Sequence, residues 1–456
     1  MQRQNAILTF DRARFRMSSK VMVRLKMNLS SGTQAYLDKL GFFGWQLGLQ
    51  RSKALSRHFG HPERFFPCVH IAGTNGKGST SAMLAALAQA AGLRVGLYTS
   101  PHLVHLNERI QINGKPISTR AFEALLRSCR PTVDELKATY FEVLTAIAFK
   151  YFAEQQVDLA VIETGLGGRL DSTNIITPEL SIITSIGLEH QDYLGKNLAK
   201  IAGEKAGIIK RHRPCISGVR QPQAAAVIAT TCRKQRARFI EAHKFIKISS
   251  PSYSREGTEF HARSDRLGFD YAKVRTNLLG SHQVKNAALA IAAARLLHNA
   301  GFNLNERAVR EGLAQTHWPA RMQLVHGDPE ILLDAAHNAD GMRVLTQTLA
   351  RLFPGRRVKI VLSLMNDKAV APVLRPWQKL HAEFFFTAAA TARARPASDL
   401  MQQARAMSLR GRAYDAAGQA FAAARASCRK NDLLCVAGSH YLIGELMQQS
   451  LLPYPY

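Results

Sequence analysis

The first place where this sequence offers chemistry is a lysine framed by glycines, in the stretch His70–Thr80, HIAGTNGKGST. Gly73, Gly76 and Gly78 let the backbone turn its N–H groups toward an anion, and a helix beginning there would aim its positive end at the same charge. Lys77 supplies a mobile cation for the outer phosphates of a nucleotide, and Ser79 or Thr80 a hydroxyl. The spelling departs from the usual phosphate loop, G-x-x-x-x-G-K-[ST]: Ile71 stands at the first glycine, and Gly78 directly follows the lysine. A glycine turn that merely joins two elements is the bland alternative. A strand-like run before the loop and a helical run after it favour a nucleotide site.

Three further polar groups close strand-like runs downstream. Ser100 ends LYTS, Glu163 ends LAVIE, and His190 follows IITSIGLEH. Each alone is an ordinary loop residue. Together, at successive edges of one sheet and beside a phosphate loop, they are candidates to hold a magnesium ion that shields a triphosphate. Lys205, in GEKAGIIK, reads on its own as a solvated surface lysine.

The elements that must position these groups alternate in type. CVHIA (68–72), RVGLYTS (94–100), VDLAVIETGLGG (157–168) and ELSIITSIGLEH (179–190) are strand-like. STSAMLAALAQAAG (79–92) and TYFEVLTAIAFKYFAEQ (139–155) are helical. That alternation predicts an α/β fold: an N-terminal P-loop-type ATPase domain with a doubly wound, mainly parallel sheet. A less regular, Arg- and Ser-rich stretch runs to residue 275, and NAALAIAAARLLHNAG (286–301) is a helix with a glycine stop. HWPARM (317–322) has the composition of a hinge. EILLDAAHN, RRVKIVLSLM, EFFFTAA and DLLCVAGS then predict a smaller, Rossmann-like α/β domain. The expected boundaries are a disordered basic extension over 1–26, a central domain over 27–317 and a C-terminal domain over 318–456.

The 456 residues are 46% hydrophobic and carry a formal net charge of +28. No apolar run approaches the ~18 residues of a membrane span. The charge is dispersed, with no aromatic-interleaved basic motif, so a specific nucleic-acid partner is not expected. Six cysteines without C-x-x-C spacing read as reduced thiols in a cytoplasmic protein. The Arg-rich head MQRQNAILTFDRARFRMSSKVMVRLK suits either a targeting segment or an extension upstream of a later methionine start.

Several motifs in order from about residue 40 to 446 make the chain resemble the folylpolyglutamate synthase family of the Mur ligase superfamily. They are AGTNGKGST, TSPHLVHLNERIQING, TYFE, ETGLGGRLDSTN, TSIGLEHQDYLG, EKAGIIK, LLGSHQVKNAALA, PARMQLV, LDAAHNADG and VAGSHYLIGEL. The lysine-glycine-serine spelling is that of the folate branch, whereas cell-wall Mur ligases place a threonine after the lysine. The resemblance implies an ATP-dependent amide ligase that phosphorylates a carboxylate and passes the acyl group to the amine of L-glutamate.

The resemblance implies these roles. Gly76, Lys77, Gly78, Ser79, Asn286, Arg321 and Asp334 bind ATP. Ser100, Glu163 and His190 bind magnesium, with a second magnesium site supported by a carbamylated Lys205. Lys205, His190 and His337 are catalytic, and His337 and Ser439 lie on the glutamate side. Thr139, Tyr140, Phe141 and Glu142, with Leu170, Asp171 and Ser172, match the dihydropteroate-binding segments of the bifunctional bacterial enzymes, which also extend reduced folates. A helix start that simply packs in the core is the alternative for TYFE. Glu189, Ala339 and Ala369 depart from the aspartate, proline and aspartate that the pattern carries. The expected protein is a monomeric bifunctional dihydrofolate synthase and folylpolyglutamate synthase. The alternatives are polyglutamylation alone, a cell-wall precursor ligase, and a basic nucleotide- and nucleic-acid-binding protein without ligase activity.

Overall fold

The computed structural model describes residues 29–41 and 46–455, so the expectation for residues 1–26 lies outside the described residues. Strands are numbered along the chain: β1 Cys68–Ala72, β2 Val95–Tyr98, β3 Ile110–Ile112, β4 Lys115–Pro116, β5 Leu159–Glu163, β6 Leu180–Ile183, β7 Cys215–Ser217 and β8 Phe239–Glu241. These eight form one sheet in the order β4-β3-β2-β5-β1-β6-β7-β8. It is parallel from β2 to β8, while β3 and β4 add an antiparallel edge. Strands β1 and β5 are buried at every position, as expected of apolar runs covered on both faces.

Because β1, β2, β5 and β6 run parallel, the loops after them leave the same edge of the sheet. That edge carries the glycine loop, Ser100, Glu163 (the last residue of β5) and His190. The helix Lys77–Ala90 follows β1 and lies against the Ala-rich helix Ser281–Leu297, buried along most of its circumference, and the helix Glu306–Gln315.

A second, antiparallel sheet comprises β9 Lys247–Tyr253, β10 Thr258–Ser264 and β11 Phe269–Thr276, in the order β11-β10-β9. It lies in the stretch that the sequence reading left irregular. Its period of two was present, since Thr258, Phe260, Ala262 and Ser264 are buried in alternation. The Arg, Glu and Ser of its outer face obscured that signal.

The remaining strands are β12 Gln323–Val325, β13 Glu330–Asp334, β14 Val358–Leu362, β15 Ala382–Thr387, β16 Arg410–Tyr414 and β17 Leu433–Ala437. They form a third sheet in the order β12-β13-β17-β14-β15-β16, with β12 antiparallel to β13 and the rest parallel. Trp377, Phe384 and Phe386 are wholly buried on one face of it. This sheet and the first meet across the loop Ser100–Glu108. Glu108 accepts the backbone N–H groups of Leu103, Val104 and His105 and the Tyr454 hydroxyl at 3.0 Å. Leu103 O lies so near Gly444 that a Cβ there would sit 1.9 Å from it. The helix His440–Gln448 is thus docked backbone to backbone on the first domain.

Candidate active site

The glycine loop is held from three sides. Gly76 is left-handed (φ 88°) and caps the helix Lys77–Ala90, and a Cβ there would meet Asn286 Oδ1 at 2.5 Å. Asn286 donates to Gln283 Oε1 (2.8 Å), and Gln283 donates to Ser79 Oγ (3.4 Å). A Cβ on Gly78 would come within 2.9 Å of the Trp318 indole nitrogen. That contact gives a physical reason for the unusual spelling: Trp318, from the hinge, packs against the position after the lysine. The Thr80 hydroxyl is buried and has no hydrogen-bond partner among the described residues.

Two lysines converge on this loop. Lys77 Nζ donates to Gly73 O (3.1 Å) and Thr74 O (3.4 Å), and lies 3.9 Å from Glu163 Oε1. Lys205 Nζ donates to the same Gly73 O (2.8 Å) and to Glu189 Oε1 (3.2 Å). Lys205 is 1% exposed, which overturns the solvated-lysine reading. Burial, opposed by Glu189 and aided by Lys77, pushes its amine down to about 8. Burial alone would raise the Glu189 carboxyl, but Lys205 and Lys77 outweigh it and hold it below the usual range. The glutamate that departs from the family's aspartate thus reaches the buried lysine.

Glu163, at the end of β5, is buried, and burial raises its carboxyl despite Lys77. Its Oε2 accepts the Ser100 N–H at 3.3 Å. His190 sits at the start of a short helix (φ 45°), and burial lowers its imidazole against the pull of Glu189. Among the described residues no three His, Cys, Asp or Glu side chains gather as a ligand set. A buried carboxylate with one long hydrogen bond, beside a serine, nevertheless fits a hard divalent cation whose remaining ligands are phosphate and water.

The second domain contributes through the hinge and the ends of its own strands. Arg321 donates to Ala320 O (3.1 Å) and to His440 Nε2 (2.8 Å). Asp334, ending β13, accepts from Met322 N (3.0 Å) and Ala336 N (2.7 Å), and burial raises its carboxyl. His337 Nδ1 hydrogen-bonds Ala335 O (2.9 Å); burial pushes its ring down to about 4, so it is neutral at ordinary pH. Ser439 Oγ accepts the Tyr441 N–H at 3.0 Å and caps the helix His440–Gln448. Asn338 donates across the domains to Asn75 Oδ1 at 3.0 Å. One cavity between the domains is lined by Gly78, Ser100, His102, Glu163, Trp318, Arg321 and His440, among others.

The predicted pterin residues are placed differently from one another. Thr139 and Glu142 form a reciprocal cap on the helix Tyr140–Glu154, and Glu142 also accepts from Arg51 Nε at 2.9 Å. Asp171 accepts from Leu166 N, Thr173 N and Thr173 Oγ1, which organises its own loop, and Ser172 is buried in the 3₁₀ turn that follows. Leu170 is only partly buried. Tyr140 and Phe141 are the partly exposed pair: Arg109 lies 5.6 Å above the Tyr140 ring, and the Phe141 ring crowds Gly165, two residues beyond Glu163. The aromatic pair thus keeps some exposed surface, while the polar residues beside it are engaged in the local fold.

Residues 71–294 match the Mur ligase middle domain, and residues 320–440 match the Mur ligase glutamate ligase domain. The chain is 40% identical over 366 residues to the dihydrofolate synthase/folylpolyglutamate synthase of Bacillus subtilis, covering 78% of this chain and 85% of that protein. The chain belongs to the dihydrofolate synthase/folylpolyglutamate synthase family of Mur ligases. A Mycobacterium tuberculosis folylpolyglutamate synthase structure complexed with ADP superposes with a TM-score of 0.86 at 33% identity, covering 93% of this chain and 98% of that one. An Escherichia coli FolC structure in complex with DHPP and ADP does so with a TM-score of 0.83 at 29% identity, covering 91% and 97%.

Membership of this ATP-dependent ligase family accounts for the motif order, but four residues at the site were given no individual role by the sequence, three of them inside motifs that carry the resemblance. They are His102 and Arg109, paired within the first domain, His440, paired with Arg321, and Trp318, packed on Gly78. For the tryptophan the available signal was Gly78 itself, because a glycine directly after a phosphate-loop lysine calls for a steric cause.

The Gly78–Trp318 contact yields a direct prediction. Gly78→Ala raises the KM for ATP roughly tenfold, and Trp318→Phe in the same chain recovers most of it, a coupling of about 1 kcal/mol in a double-mutant cycle. Additive effects in steady-state kinetics would show that the indole does not shape the loop.

Proposed function

We propose that this protein joins L-glutamate to dihydropteroate, making dihydrofolate, and to reduced folates, extending their glutamate chain. The observation that carries this reading is the cradle at Gly73. Two lysines rest on one loop carbonyl, and Arg321 from the hinge lines the same interdomain cavity as Gly78 and Glu163.

In this reading ATP lies along the loop. Gly76, Gly78 and Ser79 present backbone and hydroxyl groups to its phosphates, Asn286 supports the loop from below, and Asp334 fixes the hinge turn that carries Arg321. Lys77 swings from Gly73 O onto the outer phosphates as a point charge. The substrate carboxylate attacks the terminal phosphorus in line, giving an acyl phosphate and ADP. The amine of glutamate then attacks the acyl carbon, and phosphate leaves with amide formation. His337, neutral and anchored through Nδ1, keeps Nε2 free to accept a proton from that amine, while Ser439 lies at the helix end on the glutamate side. Ser100, Glu163 and His190 would hold magnesium, which neutralises charge on the transferring phosphoryl group. The docked domains exclude water, which would otherwise hydrolyse the acyl phosphate.

One observation favours a narrower reading, glutamate-chain extension alone: Thr139, Glu142 and Asp171 are engaged within the chain. The deciding experiment measures phosphate release with magnesium-ATP and glutamate, comparing dihydropteroate with a reduced folate. The proposal expects turnover with both and loss of both in Lys77→Ala. Turnover with the folate alone supports the narrower reading, and turnover with neither contradicts the proposal.

Lys205 is the candidate for carbamylation, which needs the neutral amine. Since burial sets its amine near about 8, the neutral fraction rises as pH passes that value. Incorporation of 13C-bicarbonate, read by NMR, should therefore increase from about pH 7 to about pH 9 and vanish in Lys205→Arg. A Lys205 that takes up no label across that range contradicts the assignment and leaves the Glu189 ion pair as its role.

A further inference from the structure

We propose that His440 is a positioning residue for the nucleotide: as a neutral acceptor it fixes the Arg321 guanidinium in the interdomain cavity without pairing its charge, which stays available to the phosphates. The inference rests on the reading above and deepens it, by assigning a residue that none of the predicted roles includes.

The argument begins with what holds Arg321. A partly buried arginine is usually oriented by a carboxylate, which both fixes the fork and cancels its field. Here the two partners are Ala320 O at 3.1 Å and His440 Nε2 at 2.8 Å, and both are uncharged. Asp334 and Glu163 are the carboxylates that act on Arg321 through space. Asp334 directs its two oxygens to the backbone N–H groups of Met322 and Ala336. Glu163 belongs to the loop side of the cavity, 3.9 Å from Lys77.

For Nε2 to accept, the ring must be neutral with its proton on Nδ1. Burial and the nearby Arg321 both hold the His440 imidazole well below its ordinary value, so the acceptor persists at working pH. The helix does not require histidine there, because its N-terminal cap is already made by Ser439 on Tyr441 N.

The arrangement recurs across the cavity. Arg109, from the first domain, donates through Nε to His102 Nδ1 at 2.9 Å. His102 and His440 line one cavity with Gly78, Ser100 and Glu163. Arg321 is the one guanidinium among the described residues lining that cavity; of the lining carboxylates Glu108 is occupied by backbone N–H groups, so the Arg321 charge is what the cavity offers an anion.

Three substitutions separate position from charge. His440→Leu removes the acceptor, His440→Gln restores a neutral acceptor, and His440→Glu restores an acceptor that cancels the charge. In steady-state assays with magnesium-ATP, glutamate and a reduced folate, His440→Leu should raise the KM for ATP roughly tenfold, the loss expected of one hydrogen bond to a charged group. The KM for the folate should stay within about twofold, since the folate makes no call on Arg321. His440→Gln should recover ATP affinity to within about threefold, and His440→Glu should remain as weak as His440→Leu. An unchanged KM for ATP in His440→Leu overturns the proposal, as does a His440→Glu variant that binds ATP as well as His440→Gln. Equilibrium binding of a non-hydrolysable ATP analogue with magnesium reads the same ranking without turnover. A failure of the ligase reading therefore shows as no product from the unaltered chain, while the binding ranking still decides the role of His440. Should His440→Leu not fold, the Gln and Glu variants alone carry the comparison.

Discussion

Two ammonium groups end on one carbonyl oxygen. Gly73 O accepts from Lys77 at 3.1 Å and from Lys205 at 2.8 Å, in a part of the protein almost closed to water. Like charges brought so near each other are tolerated only where anions offset them, and the chain supplies Glu163 and Glu189 on either side. The offset is incomplete, since the Lys77 pair is long. Every larger feature serves this cluster: the parallel sheet sends the four loops to one edge, and the Ala-rich helix Ser281–Leu297 supports Gly76 through Asn286. The hinge brings Trp318 against Gly78.

The second domain completes what the first begins. Its contacts combine polar ones, Asn338 on Asn75 and Tyr454 on Glu108, with the close approach of Gly444 to Leu103 O and the packing of Leu103 and Val104 against the second domain's apolar core. Together these contacts hold the domains in register. They also shape the interdomain cavity, to which the second domain contributes Arg321 and His440.

Much of this was legible in the chain. CVHIA reads as a buried strand and is one, residue for residue, because β-branched and apolar side chains suit a strand covered on both faces and its one polar residue, His70, is paired with Thr173 Oγ1. The glycine loop declared itself through its neighbours, strand before and helix after. Lys205 did not, since nothing local distinguishes a buried lysine from a solvated one; its environment comes from Gly73 and Glu189, far away in sequence. The antiparallel strands β9 to β11 were masked by charged residues on their outer face, and the edge strands β12 and β16 by their brevity and polarity. Thr139 and Glu142 show the converse: the same T-x-x-E spacing that matches a substrate segment is also a helix cap, and the structure uses it as one. Ala339 begins the helix Ala339–Leu352, where a proline would also fit, so that departure leaves the fold unchanged.

The central claim is that this cradle activates a carboxylate by moving a phosphoryl group onto it from ATP. The most direct measurement follows oxygen. A substrate carboxylate labelled with 18O is turned over with unlabelled magnesium-ATP and glutamate, and the released phosphate is analysed by mass spectrometry. Transfer of one labelled oxygen from each carboxylate into phosphate is the expected result, because an acyl phosphate must surrender the bridging oxygen when the amine displaces it. Amide product accompanied by unlabelled phosphate would mean that ATP is cleaved without touching the carboxylate, and the account of the site would be wrong.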